Sequence, residues 1–312
     1  MELLIYLILF LLVLIVSSTT NKLLPFLPLP LVQILLGIVI GLFLPNTDFH
    51  LNTELFLALV IGPLLFRESE EADITAILKH WRIIVYLIFP VIFISTLSLG
   101  GLAHLLWLSL PLAACLAVGA ALGPTDLVAF ASLSERFSFP KRVSNILKGE
   151  GLLNDASGLV AFQVALTAWT TGAFSLGQAS SSLIFSILGG FLIGFLTAMI
   201  NRFLHSFLLS VRATDIASEL LLELSLPLVT FFLAEEVHVS GIIAVVVAGI
   251  LKASRFKKIT LLEAQVDTVT ETVWHTVNFM LNGSVFVILG MELEMIAEPI
   301  LTNPIYNPLL LL

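Results

Sequence analysis

Charge is what this sequence has least of. Asp, Glu, Lys and Arg make up 12% of its 312 residues, against 58% hydrophobic ones, and the mean hydropathy is +1.08. A soluble domain carries about 25% charged residues, so a chain this poor in charge could not cover its own surface in water. Cysteine is nearly absent too. Cys115 is the single thiol and lies in an apolar run, which excludes an internal disulfide and a multi-cysteine metal site. There is no Gly-rich phosphate loop with its lysine, so nucleotide-driven pumping has no support. Nor is there a basic face for nucleic acid, or a compact His/Cys/Asp cluster for zinc. The start lacks the positive n-region of a cleavable signal. Glu2 is the only charge between Met1 and Val16, and this segment is read as a first membrane span. The formal net charge of -8 sits mostly in loops.

What the chain does have is long apolar stretches. About 20 such residues cross a bilayer as a helix. Ten stretches qualify: Leu3–Ser18, Pro28–Leu44, Leu51–Phe66, Trp81–Leu108, Leu110–Leu133, Val143–Thr170, Ser182–Leu204, Ala217–Ala234, Val239–Leu251 and Thr272–Met291. The span at Val239–Leu251 is short, and would borrow turns from the polar residues before it or be partly re-entrant. All 14 Lys and Arg residues fall in or beside the odd-numbered connections. By the positive-inside rule those connections face the cytoplasm and the N-terminus faces outside. The prediction is an all-α, polytopic, multi-pass protein of a cell membrane, one transmembrane domain over residues 1–312. Ala297–Leu312 holds three prolines and ends in a Leu run. An apolar run opening there predicts further membrane helices; a short C-terminus at the interface is the alternative.

Most of the acids have an inexpensive explanation as solvated faces. Glu68, Glu70, Glu71 and Asp73 stand beside basic residues in a connection, and Glu263, Asp267 and Glu271 approach the tenth span from the cytoplasmic side. His205 and His238 lie near span ends, and Asn278 and Asn282 could join helices or line a cavity. Asp126, Glu150 and Asp155 are harder to dismiss, since a charge at bilayer depth is costly and is usually kept for a task. Asp126 follows Gly123-Pro124-Thr125 in the middle of the fifth span. Pro124 cannot donate an N–H and disfavours the preceding turn, so the helix is expected to break and expose backbone groups. Such a break is tolerated only in a protein interior or a wet cavity, and transporters use it to bind ions.

Glu150, Asn154 and Asp155 belong to the sixth span, within Gly149-Glu150-Gly151-Leu152-Leu153-Asn154-Asp155-Ala156-Ser157-Gly158. Glu150 and Asn154 are four apart and share a helix face. Small Ala156, Ser157 and Gly158 permit another helix to come close, so Asp126 and Asp155 could meet across the break. Two carboxylates in a pocket of low dielectric resist simultaneous ionisation. They can take a proton, or release it and hold Na⁺ with oxygens from Thr125 and the backbone. Proton and cation then compete for one charge, which couples their movements. A buried network that only packs helices is the bland alternative, and an expensive one.

Four stretches carry a resemblance to the monovalent cation/proton antiporters of the CPA1 type, the NhaP and NHE group. Gly123-Pro124-Thr125-Asp126 resembles the motif of the first unwound crossing helix. Gly149-Glu150-Gly151-Leu152-Leu153-Asn154-Asp155 resembles the family's Gly-Glu-Ser-Leu-Leu-Asn-Asp signature. Gly62-Pro63-Leu64-Leu65-Phe66 and Val239-Ser240-Gly241-Ile242 resemble the end of the third helix and the start of a later one. The resemblance implies an NhaA/NhaP-like inverted-repeat fold with a broken crossing helix, and no cofactor or catalytic group. It implies Na⁺/H⁺ exchange by alternating access, with Asp155 as the essential carboxylate and Asp126 and Thr125 completing the cation site. Asn154 would correspond to electroneutral exchange, Glu150 would pair with an arginine on a second crossing helix, and Glu68 would lie near the cytoplasmic entrance. Partners would be Na⁺ and H⁺, or K⁺ or Li⁺, with membrane lipid and a second copy in a homodimer. Gly151 departs from the family's Ser, and His275 follows Trp274 where an acid is expected. Family members have thirteen spans, so ten leave the second repeat incomplete and imply a C-terminally shortened chain. A non-transporting membrane protein and a channel are the alternatives.

Overall fold

The structure is a computed structural model that describes residues 2–24, 26–43, 52–72, 74–124, 139–171, 176–211, 215–253 and 261–302. Every regular element among them is helical. In order these are α1 (Glu2–Leu23), α2 (Leu29–Phe43), α3 (Thr53–Phe56), α4 (Gly62–Glu71), α5 (Ile74–Tyr86), α6 (Ile92–Leu106), α7 (Leu112–Leu122), α8 (Lys141–Thr171), α9 (Leu176–Ser210), α10 (Ile216–Glu236), α11 (Gly241–Ala253) and α12 (Leu261–Thr302). Two π turns, Leu57–Ile61 and Leu87–Val91, join α3 to α4 and α5 to α6. Each has a local cause, because Pro63 and Pro90 cannot donate the ordinary helical hydrogen bond, and the helix absorbs the loss by widening one turn.

Each expected span falls on one or more of these helices, with differences that have physical reasons. The fourth begins earlier than expected, at Ile74, and is divided by the π turn at Pro90. The ninth does not borrow the polar residues before it. It starts at Gly241 and has 13 residues, about 20 Å of helix against a hydrocarbon core of about 30 Å. Among the described residues, Ile184–Ser210, Ile216–Glu236 and Thr268–Leu293 are long and apolar enough to cross a membrane unaided. Their outward faces are apolar as well. Phe191, Phe195, Phe203 and Phe207 of α9 are all exposed, a surface that water would not tolerate and hydrocarbon would.

The chain forms two compact units, one comprising residues up to Leu64 together with those from Leu261, the other running from Leu65 to Thr260. In the first, α2 lies along α12. The contact is backbone to backbone: a Cβ on Gly37 would sit 2.2 Å from the Val287 carbonyl oxygen, and one on Gly290 2.2 Å from that of Ile34. Small residues let membrane helices approach this closely where no hydrophobic force drives them together. Trp274 of α12 is buried and His275 exposed.

In the second unit, α7 packs on α6 and α8, and α8 packs on α5. Ile84 and Ile92 form a buried cluster with Ile146 and Ala161 behind them. The helices α9, α10 and α11 pack on one another, around Ala234, Val239 and Ala244 with Ile193. The Thr230 hydroxyl donates to that of Thr197 at 3.0 Å inside this group, so neither is left unsatisfied in an apolar interior. Asp215 caps α10, accepting from the Ser218 backbone N–H and hydroxyl in a reciprocal box. Those hydrogen bonds hold its exposed carboxyl below the usual range. The turn into α11 places His238 at φ 59.

Candidate functional site

The site is built from the end of α7 and the middle of α8. Ala114, Cys115, Ala117, Gly119 and Ala120 of α7 are all buried, and these small side chains let α6 and α8 close in on both sides. The helix stops at Leu122, immediately before Gly123 and Pro124, as the sequence predicts. A helix that stops here leaves its last carbonyls without helical donors. Its C-terminal end also carries partial negative charge. Both favour a cation.

On α8, Glu150, Asn154 and Gly158 recur every fourth residue and all three are buried, with Glu150 8% and Asn154 2% exposed. Polar groups this deep cost free energy unless they are satisfied. The Ser157 hydroxyl donates to the Asn154 backbone carbonyl at 3.1 Å. Gly151, one turn before Asp155, is buried too.

Pro124 joins the two parts. A Cβ on Gly158 would lie 2.2 Å from Pro124 Cγ and 3.2 Å from its Cδ, so the proline ring rests directly on the bare helix at that residue. The end of α7 is thereby held three residues from Asp155 along α8. The expected use of small residues is met at Gly158 itself. Thr125 and Asp126 lie outside the described residues, as does the Asp155 side chain, whose backbone is part of α8. Of the expected set, Glu150, Gly151 and Asn154 are buried on α8, and Pro124 touches that helix at Gly158. Replacing Gly158 by leucine is expected to push Pro124 off α8 and lower cation-dependent proton flux at least tenfold, read in reconstituted vesicles, while Gly158→Ala keeps part of it.

Glu68 lies elsewhere, half-buried on α4, a helix from which Arg67 and Glu70 turn to α10 and α11. There the structure differs from the expectation of solvated acids. Glu70 is not solvated. Lys252 on α11 lies 3.2 Å from Glu70 and 2.8 Å from Glu223, while Arg67 lies 3.0 Å from Glu70 and 4.0 Å from Glu223. All four side chains are between 13% and 16% exposed. Glu71, 2.6 Å from Arg67 but 59% exposed, is the one that meets water. Lys252 Nζ also sits 5.5 Å from the Phe66 ring centre. Sequence reasoning missed this network, and the readable signal was Glu219 and Glu223, two acids four apart inside an apolar span. Glu219 is bound as well, 2.7 Å from His205 Nδ1, so His205 is more than an interfacial residue.

A helix that stops at Gly-Pro against a buried polar turn of its neighbour is an arrangement that membrane transporters use to bind ions. Comparison with known proteins narrows the class. A family model described as sodium/hydrogen exchanger, transmembrane, matches residues 7–312, and the chain belongs to that family. It is 37% identical over 89% of its length to the "Sodium, potassium, lithium and rubidium/H(+) antiporter" of Bacillus subtilis (strain 168), covering 42% of that protein. It is 31% identical over 96% of its length to the "Uncharacterized Na(+)/H(+) exchanger YjcE" of Escherichia coli (strain K12), covering 54% of it. The chain spans about half the length of these curated relatives. The fold matches a structure of the sodium proton antiporter MjNhaP1 from Methanocaldococcus jannaschii with TM-score 0.71 and 21% identity, over 93% of this chain and 71% of that one. The chain is thus a multi-pass, all-α membrane protein whose fold is that of the archaeal structure.

Proposed function

We propose that these residues carry the cation site of an exchanger that moves Na⁺ against H⁺ by alternating access. The observation that carries this reading is the contact of Pro124 with Gly158, which ties the stopped helix to the Asn154–Asp155 turn. Asp155 is the carboxylate that alternates between proton and cation. Asp126 and Thr125 complete the coordination with the free carbonyls at the end of α7, so the transported ion is held by oxygen alone. Asn154 is a neutral neighbour, so the site has one fewer acid to protonate than a pair of aspartates would, which favours one-for-one, electroneutral exchange. Glu150 and Gly151 support the turn on which the acid stands. The N-terminus faces outside, a homodimer supplies the static frame, and membrane lipid surrounds it.

The test is dissipation of a pH gradient in vesicles containing the purified chain, after addition of Na⁺. Cation-dependent proton movement without a change in membrane potential is the expected result. Cation flux without proton counterflow would overturn the exchange reading in favour of a channel. A broader selectivity has a specific observation in its favour, because the Bacillus subtilis relative is named for four alkali cations. On that reading K⁺, Li⁺ and Rb⁺ dissipate the gradient with half-effects within about tenfold of that of Na⁺. A response to Na⁺ alone would remove it.

A further inference from the structure

A cavity of about 170 Å³ lies where α9, α10 and α11 meet, bordered by Phe195, Met199, Arg202, Leu226, Leu251 and Lys252. We propose that it holds the phosphodiester headgroup of an anionic phospholipid. The proposal is independent of the exchange reading and rests on how the walls are sorted. Phe195, Met199 and Arg202 follow one another at helical spacing along one face of α9, so an apolar track ends in a guanidinium. Phe195 and Met199 are 39% and 50% exposed, open to the hydrocarbon on the outer side. That order, apolar and then cationic, complements a molecule with an acyl chain and an anionic head. A soluble anion would have no use for the track.

The charges favour one kind of head. Lys252 reaches the cavity, but its ammonium is already balanced by Glu70 and Glu223 at 3.2 and 2.8 Å. Arg202 is exposed, and among the described residues no carboxylate lies within 4.0 Å of it. One cation is therefore uncommitted, with two carboxylates standing behind the other. A singly charged phosphodiester matches this. A polyphosphorylated head would face Glu70 and Glu223 with charge to spare, at a cost in like-charge repulsion. The volume accepts a headgroup and no more, being well below the roughly 300 Å³ at which pockets begin to enclose whole ligands.

The experiment is native mass spectrometry of the full 312-residue chain in detergent, with phosphatidylglycerol and phosphatidylcholine of the same acyl chains. Phosphatidylglycerol is expected to be retained about fivefold more, the effect of one basic residue near a lipid head. Arg202→Gln should remove that preference and Arg202→Lys keep most of it. Ala198 also lines the cavity, and Ala198→Trp, which fills it from α9 without removing a charge, should remove the preference as well and serves should Arg202→Gln fail to fold. Equal retention of the two lipids by the native chain would overturn the proposal, as would an undiminished preference in either cavity variant. Displacement of phosphatidylglycerol by millimolar inorganic phosphate would assign the site to a free anion instead.

Discussion

Asp155→Asn is expected to abolish cation-dependent proton movement, not to slow it. Asparagine has nearly the same size and can accept a hydrogen bond at one end, so α8 has no steric reason to unfold. It cannot take up a proton near neutral pH and brings no charge to a cation. Both halves of the exchange then fail together, because they use one carboxyl group. A partial defect would mean that the charge is shared with Asp126 more evenly than proposed. The measurement is the pH-gradient assay on vesicles, with matched protein and a monodisperse elution profile. Native exchange rates in the folded variant would end the assignment of Asp155 as the exchanged carboxylate.

Much of this was readable in the residues. Apolar run length placed a helix on every expected span, because a chain that cannot hydrogen-bond to lipid has few alternatives to helix. Gly123-Pro124 marked the stop of α7, since proline's missing donor is a local property that no tertiary contact can restore. Gly158 was legible as a place where the broken fifth span could come close, although the residue that rests on it, Pro124, was not. The ion network was missed for a single cause. Glu70 looked solvated because Arg67 and Glu71 are its neighbours in sequence, whereas the partner that buries it, Lys252, is 182 residues away. Glu223 gave a signal by being an acid within an apolar span, but pairing across three helices cannot be computed from spacing. The π turns were missed for another reason: proline announces a defect, while its form depends on whether the helix kinks or widens.

Lys252→Ala is expected to destabilise the second unit by about 3 kcal/mol. An exposed ion pair contributes about 0–1 kcal/mol, and that figure would apply if these side chains met water. They do not, at 13% to 16% exposure. Removing the ammonium leaves Glu70 and Glu223 facing each other with only Arg67 between them, and takes the cation from the face of Phe66. The cost lies mainly in the orphaned carboxylates, so a compensating change separates it from lost packing. Lys252→Met combined with Glu223→Gln should recover most of the loss, as buried pairs often do when replaced by groups of similar shape. The readout is the thermal midpoint in detergent. A shift no larger for Lys252→Ala than for an exposed lysine substitution would show that water reaches the network after all.

The π turn at Leu87–Val91 gives one polypeptide rod two different neighbours. Each residue advances an α-helix by about 100°, so a single extra residue in one turn rotates everything after it by roughly that amount relative to everything before. Upstream of Pro90, α5 shows its packing side to α8; downstream, α6 shows its own to α7. An uninterrupted helix would aim both halves in one direction and could serve only one of them. Here the imino acid acts as a phase shifter, and α7 and α8, which carry the two halves of the proposed cation site, are each braced by a different stretch of the same rod.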